Sequence, residues 1–89
     1  MPAYNMTEAA NALGKTPLAF KRWIKDEMIP PPILQDTIRG FNHYSTGEMQ
    51  VIAKVLLEHE KEYTYFLKEH DRTIHKMWQG IEAYRKHNI

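Results

Sequence analysis

A chain of 89 residues with 43% hydrophobic and 26% charged positions has the composition of an ordinary globular protein, sized for one compact domain or a small domain with a helical extension. It contains no cysteine, which excludes disulfides and thiolate metal sites. A formal net charge of +1 makes no general polyanion trap, the first residues lack the basic start and apolar run of a signal peptide, and no apolar stretch approaches the roughly 20 residues that cross a bilayer, so a cytoplasmic protein is expected.

The first helix is predicted from Thr7 as N-cap, followed by Glu8 and good helix formers, to Gly14, a residue suited to a left-handed C-terminal cap. Its inward face is Ala9, Ala10 and Leu13, and the two alanines permit another helix to approach closely. A second start follows almost at once. Thr16 is a capping residue, and Pro17 stands at the first helical position, where its missing N–H costs nothing. Phe20, Trp23 and Ile24 recur at helical spacing and define a buried face, with the helix running to about Asp26. Lys15, Lys21, Arg22 and Lys25 gather in this one segment, with no acid before Asp26 and Glu27. The positive charge is therefore local.

Pro30-Pro31-Pro32 stops the second helix and forces extended chain. Ile33-Leu34 and Phe41 to Tyr44 read as two short strands around a turn containing Asp36, Thr37 and Gly40, a small hairpin or wing. Ser45 and Glu48 form a capping box that opens a third helix. From Met49 onward, Ala53, Leu56, Tyr63, Leu67, Ile74, Met77, Ile81 and Tyr84 fall near the a and d positions of heptads. One long helix or two broken near His70-Asp71 fit this pattern. A sustained stripe predicts a coiled-coil seam and hence a homodimer or higher homo-oligomer, the alternative being that the stripe packs back on the N-terminal half. The expected fold class is mostly α with a small β-hairpin wing: a winged helix-turn-helix over residues 1–58, followed by a C-terminal helical segment, 59–89, for oligomerisation.

These elements resemble a known family. Tyr4, Thr7-Glu8-Ala9-Ala10, Leu13-Gly14, Thr16-Pro17, Phe20-Lys21-Arg22-Trp23, Ile29-Pro30-Pro31-Pro32, Gly40-Phe41, Tyr44-Ser45 and Glu48 are similar in order and spacing to the winged helix-turn-helix domain of the MerR superfamily, which includes related phage excisionases. The likeness covers Tyr4 to about Ile52. It implies that the second helix enters the major groove of DNA. Lys21 stands where the family usually has a phosphate-gripping arginine, Trp23 where an aromatic packs beneath, and Arg22 at an outward position that commonly touches DNA. In the wing the family favours an arginine two residues after the glycine. Asn42 stands there instead, followed by His43, with Arg39 before Gly40 as a substitute grip. The family's usual ligand-sensing C-terminal domain has no counterpart here.

The expected function is sequence-specific binding of double-stranded DNA, as a small transcriptional regulator or a phage-type recombination directionality factor. The expected contacts are Lys15, Thr16, Pro17, Lys21, Arg22, Lys25, Arg39, Asn42, His43 and Tyr44. Lysine and arginine neutralise phosphates and release counterions, and arginine also bonds guanine in bidentate fashion. Two other readings share these features: a small terminase-like DNA-packaging subunit, and a protein-interaction module built on the winged scaffold. No nucleophile, phosphate loop or helix-borne histidine pair is set for catalysis or metal binding, so no enzyme activity, cofactor, metal, membrane or small-molecule effector is expected.

Overall fold

The structure, a computed structural model, describes residues 3–35, 42–67 and 71–88. Its elements in chain order are β1 (Ala3–Tyr4), α1 (Met6–Ala12), α2 (Pro17–Lys25), β2 (Leu34–Gln35), β3 (Asn42–Ser45), α3 (Thr46–Glu58), α4 (Glu60–Thr64) and α5 (Asp71–Asn88). The protein is mostly helical with a small antiparallel sheet, ordered β1-β3-β2. Leu34 pairs with His43 and Gln35 with Asn42 across the hairpin, while Ala3 pairs with Ser45 and Tyr4 with Tyr44. The hairpin was expected. The third strand was not, because two residues carry no alternation to read.

The cap of α1 is Asn5, not Thr7. Asn5 Oδ1 accepts the Glu8 N–H at 2.8 Å and the Glu8 carboxylate accepts the Asn5 N–H at 3.2 Å, a reciprocal capping box that satisfies two otherwise orphan donors. The helix closes as predicted at Gly14, whose φ of +70° lets its N–H reach Asn11 O while the Lys15 N–H reaches Ala10 O. The same turn ends α2, with Glu27 in the left-handed position (φ +62°), and α4, with Phe66 there (φ +53°). Helix α2 starts where expected: Thr16 Oγ1 accepts the Ala19 N–H at 3.2 Å with Pro17 behind it. The Ser45–Glu48 capping box opens α3.

The heptad stripe resolves within the chain. Helix α3 stops at Glu58, the short α4 follows, and α5 returns across α3. A single long helix is therefore excluded: α5 starts at Asp71, where a second helix was expected, and a further break at His59, which was not expected, sets off α4. Met49, Leu56, Tyr63, Met77 and Ile81 are buried in the same core as Ala9, Ala10, Phe20 and Trp23. They pack against residues of their own chain and do not form a free coiled-coil seam. The division near residue 58 likewise runs through one continuous core. Two glycines let α3 and α5 approach: a Cβ on Gly47 would collide with the Tyr84 ring and hydroxyl, and one on Gly80 would lie 2.8 Å from Val51 Cγ1. Lys76 crosses the same pair to bond Glu58 at 3.1 Å, which holds that carboxyl below its usual range. No described helix is long and apolar enough to cross a membrane.

Candidate nucleic-acid interface

The inner face of α2 is fixed by rings. Phe20 meets Tyr44 of β3 edge-on at 6.1 Å, and Trp23 meets Tyr63 of α4 edge-on at 5.6 Å. Phe66 tilts against Trp23 at 5.9 Å. Edge-to-face pairs of this kind contribute about 0.5–1.5 kcal/mol each beyond the area they bury. Trp23 also donates its indole N–H to Tyr63 O at 2.8 Å, so its polar edge is satisfied inside the core. It is a structural tryptophan, as its register predicted.

With that face buried, the opposite side of α2 presents Leu18, Lys21, Arg22 and Lys25, spaced i, i+3, i+4 and i+7 along one stripe. All four are exposed, and Leu18 is 81% exposed despite being apolar. The cations differ in freedom. The Arg22 guanidinium lies 4.0 Å from the centroid of the Phe66 ring and 3.8 Å from Asp26, so two neighbours orient it while the side chain stays 61% exposed. Lys21 faces the other flank. It lines a groove of about 620 Å³ with Asn5, Met6, Thr7, Ile24, Pro31, Pro32 and Asn42. Among these described lining residues Lys21 carries the one charge.

The predicted contact residues divide accordingly. Lys21 and Asn42 come together in the groove, with Arg22, Lys25 and Leu18 on the adjoining stripe. Thr16 is exposed, and although its oxygen caps the helix its hydroxyl proton is still free to be donated. Pro17 is half-buried at the same end. Lys15 is half-buried and lies in a different groove, beside Ala12, Leu13, Leu57 and Glu60, away from the Lys21 set. His43 is half-buried with Nδ1 enclosed, which leaves it little reach toward a ligand. Tyr44 is corrected outright: it is fully buried, its hydroxyl donates to Pro30 O, and burial pushes its pKa well above the usual tyrosine value. Asn42 and Tyr44 lie on one face by strand alternation, so position along the strand separates them: Asn42 opens β3 and is exposed, while Tyr44 further along packs against Phe20. Arg39 and the turn at Asp36, Thr37 and Gly40 lie outside the described residues.

Missed entirely was how the C-terminal half supports the site. The link from α2 to the sheet contains three prolines and so offers few N–H groups for backbone pairing. Its carbonyls are held by side chains instead. Trp78 Nε1 donates to Glu27 O at 2.8 Å, the Tyr63 hydroxyl to Met28 O at 2.8 Å, the Tyr44 hydroxyl to Pro30 O, and Arg85 Nη2 to Pro31 O at 2.8 Å. Arg85 is itself fixed by Glu48, Nε to Oε2 at 2.7 Å, and that carboxylate is fully buried. The only sequence signal was the register of Trp78, Ile81 and Arg85 on one side of α5.

Among the described residues no group of three or more histidine, aspartate or glutamate side chains is arranged to hold a metal. No family model matches the chain, and neither a curated protein nor a solved structure matches it significantly.

Proposed function

We propose that the protein is a winged helix-turn-helix that binds double-stranded DNA, laying the outer stripe of α2 in the major groove with the β2–β3 hairpin as its wing. The observation that carries this reading is the outward row Leu18, Lys21, Arg22, Lys25, continuous with the groove that Lys21 shares with Asn42, where no acid stands among the described lining residues. Lysines neutralise phosphates, and an oriented guanidinium is suited to the two acceptors of guanine. An exposed leucine among cations matches a thymine methyl set between phosphates. The resemblance to the MerR superfamily points the same way and extends to regulators and recombination directionality factors.

Fluorescence anisotropy on duplexes selected from a random pool tests the proposal. Replacing Lys21 by alanine is expected to weaken binding and to lower the slope of log K against log salt by about 0.9, the loss of one phosphate contact. Lys25→Ala acts in the same direction. Arg22→Ala is expected to relax base preference at one position, at a cost of about 1–3 kcal/mol there. Unchanged titrations for the Lys21→Ala/Arg22→Ala double variant would sink this binding mode.

A further inference from the structure

The four carbonyl bonds just described do more than close the fold, because of where the clamped segment lies. Residues 27–31 leave the end of α2 and lead directly to β2, the strand that pairs with the one bearing Asn42. The pitch of the basic stripe relative to the wing is therefore set by this link together with the contact of Phe20 on Tyr44. A chain with prolines at 30, 31 and 32 cannot stabilise its own path by a backbone ladder. The path is set by whatever donates to it.

Two of the donors stand on α5, outside the part of the chain that resembles a DNA-binding domain. Trp78 and Arg85 are seven residues apart, two helical turns or about 10 Å on one face. Their acceptors, Glu27 O and Pro31 O, are four residues apart in a link that spans at most about 14 Å. The lengths match, so α5 lies along the link and holds it at both ends. Ile81, between the two donors on the same helix, is fully buried.

We propose that Trp78 and Arg85 are positioning residues for DNA reading: by holding the carbonyls of Glu27 and Pro31 they set the angle between α2 and the wing, and with it the discrimination between sequences. This rests on the DNA-binding reading above. Attraction to phosphates depends on charge and tolerates a change of angle. Base readout requires donors and acceptors to meet within a few tenths of an ångström, and does not tolerate it.

The test uses the full chain and two conservative variants. Trp78→Phe keeps a ring and removes the N–H. Arg85→Lys keeps a cation for Glu48 but cannot also reach Pro31. Anisotropy titrations compare a selected duplex with its scrambled counterpart over a range of KCl concentrations, well below each variant's melting temperature. Both variants are expected to lose about tenfold in affinity for the selected duplex, the size of one displaced base contact, while affinity for the scrambled duplex and the salt slope stay unchanged. Lys21→Ala, the control, weakens both duplexes and lowers the slope. Unchanged discrimination, or a parallel loss on both duplexes, overturns the proposal.

A second arm does not depend on binding. The chain has no cysteine, so Lys25→Cys and Asn42→Cys can carry spin labels without background. The distance between them is expected to be narrowly distributed in the parent and to shift or broaden with Trp78→Phe and with Arg85→Lys. If the parent binds no duplex, the DNA reading fails and this arm alone decides the clamp. Superimposable distributions overturn it.

Discussion

Replacing Arg85 by alanine is expected to cost a large fraction of the stability of the fold. Glu48 is fully buried, and its Oε1 accepts the Ser45 N–H at 3.0 Å while Oε2 accepts Arg85 Nε at 2.7 Å. Arg85 is 15% exposed, so its removal strands a carboxylate in the core with one neutral donor. Removing one member of a buried ion pair costs about 3–5 kcal/mol, and water entering through the gap places this site near the lower figure. A chain of this length has roughly 4–13 kcal/mol in total. Urea titration followed by the fluorescence of Trp23 and Trp78 reads the change directly. With a slope of about 1–1.5 kcal/mol per molar, a loss near 3 kcal/mol moves the midpoint by about 2–3 M. Adding Glu48→Gln to the same chain is expected to recover about 1–2 kcal/mol, because the neutral amide still accepts the Ser45 N–H and no longer needs a counter-charge. A loss below about 1 kcal/mol for Arg85→Ala, or a double variant no more stable than the single one, refutes the assignment of the cost to a stranded charge.

Three further outcomes follow from the packing. Gly80→Ala is expected to lower the melting temperature although alanine is the better helix former by about 1 kcal/mol, because its Cβ meets Val51 Cγ1; in a Val51→Ala background the same change is expected to raise it. Glu27→Gly is expected to stabilise by up to about 1 kcal/mol in thermal melts, since Glu27 holds a left-handed conformation that glycine adopts freely and contributes only its carbonyl to the clamp. Burial raises the pKa of Tyr44 and Tyr63 above the ordinary value near 10, so both bind protons more tightly folded than unfolded. Their contribution is complete below pH 10 and declines as pH rises from there toward the folded values. Urea midpoints measured between pH 9 and 11 are expected to fall, and Tyr44→Phe is expected to reduce that dependence.

What the sequence conveyed follows from the range of each signal. Capping and helix termination are local, so Thr16-Pro17, Gly14 and Ser45–Glu48 were placed correctly, and so was the buried face of α2. Asn5 was passed over for Thr7 although Asn5 and Glu8 have capping-box spacing, because both polar residues precede the same apolar run. Of the C-terminal stripe, Met49, Leu56, Tyr63, Met77 and Ile81 are buried by this chain's own residues, while Ala53 and Leu67 are exposed: a 3.5-residue repeat states that one face is buried, and says nothing about which chain buries it. Lys21 and Arg22 are exposed where expected, but the Phe66 ring beneath Arg22 comes from 44 residues further along the chain. Tyr44 was misassigned because an aromatic in a wing has the same signature whether it faces a ligand or the core. Trp78 gave no sign of its acceptor, since a main-chain carbonyl carries no residue identity.

That anonymity of the acceptor has a consequence for how the protein tolerates change. The clamp's four bonds all end on carbonyl oxygens, which every amino acid supplies. At Glu27 and Pro31, where the side chains are exposed, the clamp imposes almost nothing on residue type. Its demands fall on Tyr44, Tyr63, Trp78 and Arg85, each the bearer of one correctly aimed hydrogen. In a saturation library scored for folding, the held position 31 would accept broad substitution, position 27 would accept the residues that tolerate its left-handed backbone, and the holding positions would accept almost none. The lesion that disables the link between α2 and the sheet would then appear dozens of residues away from it, at Trp78 or Arg85 of α5.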